Sequence, residues 1–291
     1  MKKKLIAVCL IIAMMAITVV GGTMAYFFDT AENTNVFTVG NVQIELEEVQ
    51  KKPEGGFDEY PDKEAIDAGE ATAPQLMPGD GDTNNVSKIA WIKNTSETNK
   101  AWVWAEIWIP AELDDTNAAE NSLHFNYYGW FTEGAYNNTK YFQAPVDDGI
   151  MDASGKIIDS NMVSDIANNL WTWADGDPEF KQDEDQFGNT IDYHVYTVMM
   201  KNPLEPGKTS LPFLRQVYMD SEVVKCDGTD DECTVKDTSC TAYILKSGKH
   251  YAADQSWELI VKAYAMQYEG FEEDNGGIEA AMEAFDNAQK K

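Results

Sequence analysis

His124, His194 and His250, together with Cys226, Cys233 and Cys240, are the side chains whose chemistry would matter most in this chain; each of these cysteines is separated from the next by six residues. Imidazole and thiolate are the usual ligands of zinc, and a helical zinc-peptidase site needs two histidines one turn apart with a glutamate as general base. The three histidines are followed instead by Phe125, Val195 and Tyr251, so no His-Glu-x-x-His motif is present and a zincin-like site is rejected. His194 falls within a strand-like stretch with no ligand spacing around it, which favours a structural histidine. Nucleophilic chemistry has no better footing: the chain holds no Gly-x-Ser-x-Gly elbow, no Cys/His signature and no glycine-rich phosphate loop. Among 50 Asp and Glu some carboxylate pair exists by chance, so a glycosidase pair is uninformative. No catalytic residue, cofactor or metal is assigned, and no enzymatic activity is expected.

The cysteines are a structural question instead. If the flanks Val223-Val224 and 241–245 pair as a hairpin, Cys226 and Cys240 come within disulfide reach and Cys233 is left at the tip as a free thiol. A three-thiolate metal site is the alternative, although the spacing matches no common zinc pattern, and a tip thiol joining two subunits is another. Acidic runs at Asp147-Asp148, Asp183-Glu184-Asp185 and 227–232 invite calcium, yet none matches the calcium loop with its glycine and terminal glutamate. A solvated surface accounts for them, with weak calcium bridging between subunits left open. Of the 8 tryptophans most fall in strand-like runs and read as core; Trp171 and Trp173, beside an acidic loop, are the candidate platform for stacking sugars.

Positioning these residues falls to strands. Val42, Ile44 and Leu46 alternate with Gln43, Glu45 and Glu47, the pattern of a strand with one wet face. The run 101–109 is apolar on both faces apart from Glu106, which predicts a central strand covered on both sides and closed by Pro110. Further strands are predicted at 86–92, 124–131, 193–200, 211–219, 241–245 and 257–268, with turns at Pro78-Gly79-Asp80, 94–99 and 202–208. Helix is scarce; Ile278, Ala281, Met282 and Phe285 share one face after Gly276-Gly277, predicting a terminal helix over 278–289. The fold class is therefore all-β, a jelly-roll-like two-sheet sandwich with a short C-terminal helix, forming a single domain over 41–291. Segments 51–75, 145–169 and 175–192 read as surface insertions of loops or short helices, and 223–245 as a cysteine-bearing hairpin.

The 291 residues carry 43% hydrophobic residues, enough for a folded core, and a formal net charge of −28 that argues against nucleic acid or anionic lipid as partners. Lys2, Lys3 and Lys4 precede an apolar run over 5–20 and the small residues Gly21-Gly22-Thr23, which reads as a signal peptide over 1–25 cleaved between Ala25 and Tyr26. An uncleaved anchor is the alternative, although the run is shorter than the roughly 20 residues a spanning helix needs.

Gly21-Gly22-Thr23-Met24-Ala25-Tyr26-Phe27, then Asp29-Thr30, Asn35, Phe37 and Gly40 before an alternating strand, resembles the N-terminus of the TasA and camelysin family. Leu76-Met77-Pro78-Gly79-Asp80, Asn94-Thr95-Ser96, Pro206-Gly207 and Ala263-Tyr264-Ala265-Met266-Gln267 continue the resemblance in order along the chain, while the long insertions and the cysteine-bearing hairpin depart from it. The resemblance implies export through a SipW-type signal peptidase and a jelly-roll subunit of extracellular biofilm-matrix fibres. It further implies that the freed segment 26–40 is a donor strand inserted into a neighbouring copy, with Tyr26, Phe27, Phe28, Val36, Phe37 and Val39 as its assembly residues and Phe27 and Phe37 as anchors. The partner is then the chain itself, in a head-to-tail homopolymer. The same segment as the first strand of its own sandwich is the alternative. A secreted module binding matrix polysaccharide or cell wall is the second functional expectation. The camelysin branch carries a zinc-peptidase description, which the histidine spacing above does not support.

Overall fold

Aromatic and β-branched residues recur through the chain, and they fold it into strands. The structure, a computed structural model, describes residues 27–28, 36–39, 41–52, 55–61, 76–79, 81, 84–115, 120–131, 139–142, 147–154, 156–175, 178–184, 190–226, 242–252 and 257–289. In chain order these hold β1 Phe27–Phe28, β2 Val36–Val39, β3 Ile44–Lys51, β4 Phe57–Glu59, β5 Pro78–Gly79 and β6 Asn85–Asn94. Then come β7 Ala101–Pro110, β8 Leu123–Tyr128, β9 Thr139–Phe142, β10 Trp171–Trp173, β11 Glu179–Glu184 and β12 Thr190–Met200. Strands β13 Leu214–Asp220, β14 Val224–Cys226, β15 Ala242–Ile244, β16 His250–Ala252, β17 Trp257–Glu258 and β18 Ile260–Gln267 lead to the helix α1, Gly277–Gln289.

Two sheets face each other in an all-β sandwich. The first runs β10-β12-β7-β18-β2, with β11 also paired to β12; the second runs β4-β3-β6-β13-β8-β9, with β5 against β13. The long strand β12 serves two partners in succession, β11 along its first half and β10 along its last residues. Central ladders are antiparallel, whereas β2 on β18, β9 on β8 and β5 on β13 are parallel. A smaller sheet, β14-β15-β16, carries the hairpin, and β1 pairs with β17.

Alternation along β7 explains the layering. Val103, Ala105, Ile107 and Ile109 point into the core between the sheets, while Trp102, Trp104 and Trp108 point to the outer face. That outer face is closed by α1, whose Ala281 and Phe285 pack with Trp102 and Trp104, and farther along by Tyr193 and Ile260 around Trp108. All ten residues of β7 are buried, as expected for a strand covered on both sides.

Two of the predicted insertions hold strands. Segment 175–192, read as loop or short helix, contains β11 and the start of β12. The reason is electrostatic: Lys181 Nζ reaches Glu106 Oε1 at 2.7 Å, Lys262 Nζ reaches Asp183 Oδ2 at 3.3 Å, and Gln182 Nε2 donates to Asp192 Oδ1 at 2.6 Å. A strand held by charges at a sheet edge carries no apolar alternation to reveal it. Segment 51–75 likewise contains β4, and its remainder over 62–75 lies outside the described residues.

Candidate functional site

The first and last strands of the sandwich meet at one edge. β18 is held on one side by β7 through an antiparallel ladder from Ile260–Trp108 to Gln267–Ala101. Among the described residues its other side carries only β2, in a short parallel register that sets Val36 opposite Ala263, Phe37 opposite Tyr264, Thr38 opposite Ala265 and Val39 opposite Met266. Upstream, Phe27 and Phe28 run parallel to Trp257 and Glu258. Among the described residues β2 is the outermost strand of its sheet, so the N-terminal segment covers the hydrogen-bonding edge of β18.

Immediately after β2 the chain crosses to the second sheet, and this crossing is pinned. Val42 is buried; the Asn41 amide donates to Gln267 Oε1 at 3.3 Å, the Gln43 amide to Ser96 Oγ at 2.8 Å, and the Thr95 amide to Gln43 O at 2.9 Å. Asn99 Nδ2 donates to Asn41 O at 2.6 Å. Behind these contacts lies Asn94, fully buried at the end of β6. Its Nδ2 donates to Asn99 O and Leu204 O, both at 2.9 Å, and its Oδ1 accepts from the Ser96 amide at 3.0 Å. The Gly207 amide donates to Asn94 O, closing the loop 202–208 onto the same point. Asn94, Ser96 and Gly207 belong to motifs visible in the sequence, but their joint role as a clamp on residues 41–43 was not; only the fold brings three loops so far apart in the chain together.

The face of β18 beneath this edge is polar at its centre and apolar around it. Tyr264 stacks on Trp104 with centroids 5.6 Å apart, and its hydroxyl donates to Glu106 Oε2 at 2.8 Å. Trp108 Nε1 donates to the same oxygen, also at 2.8 Å, and Lys181 and Lys262 lie over the Trp108 ring. Burial, then the Glu106 charge, pushes the Tyr264 phenol far above its ordinary range, so it stays a donor. Burial alone would lower the Lys181 amine, but the Glu106 carboxylate turns the shift upward. Glu106, the one charged residue inside the central strand, is thus fully engaged.

The other sequence-predicted residues are distributed as follows. Ala25 and Tyr26 lie outside the described residues, as do Cys233 and Cys240. β14 and β15 pair antiparallel, with Cys226 opposite Ala242. Trp171 is fully buried, its indole N–H donating to Leu211 O at 2.7 Å and its ring edge-on to Phe213. Trp173 packs among Phe125, Tyr127 and Phe131. The expectation of a sugar-stacking platform is therefore corrected: both indoles face the inter-sheet core because β10 pairs with the last residues of β12.

His124 Nε2 lies 2.8 Å from Asp220 Oδ2 on the second sheet, and His194 Nδ1 lies 3.2 Å from Asp114 Oδ2 beside the first. The hydrogen bond that His194 gives to the Asp114 carboxylate raises its pKa above the ordinary value, against the lowering effect of burial. Among the described residues no three His, Cys, Asp or Glu side chains gather as a metal set, and no helix is long and apolar enough to cross a membrane.

The family model described as camelysin metallo-endopeptidase matches residues 1–51, which supports the TasA and camelysin resemblance over that N-terminal stretch. No curated protein and no solved structure matches. The matched name implies a metal, but His124 and His194 stand on different sheets, each engaged by its own carboxylate, so the described residues do not supply a set to hold one.

Proposed function

We propose that this chain is a secreted, non-enzymatic structural protein whose copies join into extracellular matrix fibres by exchanging the N-terminal segment 26–40. The observation that carries the reading is the edge itself: residues 36–39 satisfy β18 through a short parallel ladder, and the clamp around Asn41–Gln43 begins immediately after it. The same ladder forms equally well whether the strand comes from its own chain or from a neighbour, so exchange costs little enthalpy. The clamp keeps the rest of the sandwich intact while the segment leaves. A strand passed to the next copy makes a head-to-tail contact that does not close, and such contacts propagate as filaments. Removal of the leader by a signal peptidase of the SipW type would release the segment for donation.

The test is negative-stain electron microscopy of the chain beginning at Tyr26 beside one beginning at Gly40, with the fold of both verified by circular dichroism. Fibres from the longer chain and folded monomers from the shorter support strand exchange. Two folded monomers at high concentration would overturn it and leave β2 as an internal edge strand.

A further inference from the structure

Glu48 and Lys88 break the pattern of the strands that carry them. Ile44 and Glu48 are the buried positions of β3, and Val86, Lys88, Ala90 and Ile92 are buried on β6, so both charged residues occupy inward positions. Their side chains are 1% and 0% exposed, and Lys88 Nζ lies 2.6 Å from Glu48 Oε1. Register explains the meeting: Glu48 stands opposite Ala90, two residues along β6 from Lys88 and on the same face. The third wall is Tyr60, whose amide donates to Glu48 O and whose ring lies 4.5 Å from the Lys88 amine. Among the described residues no hydrogen bond of normal geometry reaches either Glu48 carboxyl oxygen, and the amine of Lys88 stands against Oε1 as a close contact. A buried ion pair kept for stability needs its remaining lone pairs satisfied, and among the described residues those of Glu48 are not.

We propose that Lys88 and Glu48 form an intramolecular isopeptide bond, a covalent staple between β3 and β6. The reaction is a condensation. The uncharged Lys88 amine attacks Cδ of the protonated Glu48 carboxyl, the Nζ–Cδ bond forms, the bond from Cδ to the hydroxyl breaks, and that hydroxyl leaves with one amine proton as water. No oxidant, reductant or cofactor is required. The surroundings favour the reactive forms of both groups, because burial raises the Glu48 carboxyl and lowers the Lys88 amine, each towards neutrality. The product replaces two ionisable groups in an apolar interior with one neutral amide. The bond is independent of the fibre reading. If fibres form, β3 follows directly on the exchanged segment, and the staple passes tension from that segment into the neighbouring strand.

Mass spectrometry of the purified, folded chain beginning at Tyr26 tests this directly. The intact mass is expected to fall below the sequence mass by one water, about 18 Da, and trypsin is expected to fail at Lys88. Residues 64–93 then appear only joined to the peptide ending at Lys51. Lys88→Arg is expected to restore the full mass. Glu48→Gln can form the same amide by expelling ammonia, for a loss of about 17 Da. A folded wild-type chain at full sequence mass, with free peptides ending at Lys88, would overturn the proposal, as would a water loss that survives in Lys88→Arg.

Discussion

Phe37 stands opposite Tyr264 in the parallel register of β2 on β18, and Tyr264 stands in turn opposite Trp104 on β7. The N-terminal strand is thus separated by a single strand, β18, from β7, all ten of whose residues are buried. If it is exchanged between copies, fibre growth depends on its backbone donors. In Phe37→Pro/Thr38→Pro, whichever of the two adjacent residues donates to β18 loses its N–H. Each lost ladder bond is worth about 1 kcal/mol, so the critical concentration for fibres is expected to rise by about fivefold or more. Light scattering against protein concentration reads this, and an unchanged threshold would count against strand exchange.

Asn94→Ala removes three hydrogen bonds at a fully buried point and leaves Leu204 O and the Ser96 amide without their side-chain partner. The expected cost is about 2–3 kcal/mol, read as a lower urea midpoint with an unchanged slope. Hydrogen exchange should further show earlier opening of residues 41–43 than of β7. Uniform exchange across both would argue that Asn94 supports the sandwich without clamping the crossing.

Trp171→Ala empties a fully buried site beside Phe213 and removes the donor to Leu211 O. A loss of about 3–5 kcal/mol is expected. Any fall in polysaccharide retention by this variant should track unfolding in a thermal melt. Retention lost with the melting temperature unchanged would reinstate a sugar platform.

The His194–Asp114 contact makes stability depend on pH. Because the folded pKa of His194 is raised, its contribution is complete below the unfolded value of about 6.5 and is lost as pH rises through the higher folded value. The urea midpoint of wild type minus that of His194→Gln is therefore expected to shrink from about pH 6 to pH 8.5. A difference independent of pH would mean that the imidazole contributes by packing and neutral hydrogen bonding alone.

Much of the sandwich was legible because its strands carry their own periodicity. The run 101–109, apolar on both faces, could only be a strand covered on both sides, and β7 is buried along its length. The terminal helix followed in the same way from Ile278, Ala281, Met282 and Phe285, and α1 spans Gly277–Gln289. β11 was not legible, since what holds it is polar and charged pairing to β12, β7 and β18 rather than an apolar face of its own. Glu48 and Lys88 stood in plain view, at positions where the alternation of their strands calls for apolar residues, but a charged residue is read by default as surface.

What the chain determined by itself is local: the strands, their wet and dry faces, the helix and the signal-like N-terminus, because each depends on residues within a turn or a strand of one another. What only the tertiary structure decided is which distant segments meet. A four-residue strand such as 36–39 has no pattern that names its partner more than two hundred residues later, and the contacts of Trp171 or Asn94 depend on sheet order. The edge at β18, the clamp on Asn41–Gln43 and the meeting of Lys88 with Glu48 arise there, since register and strand order are set by packing the whole sandwich at once.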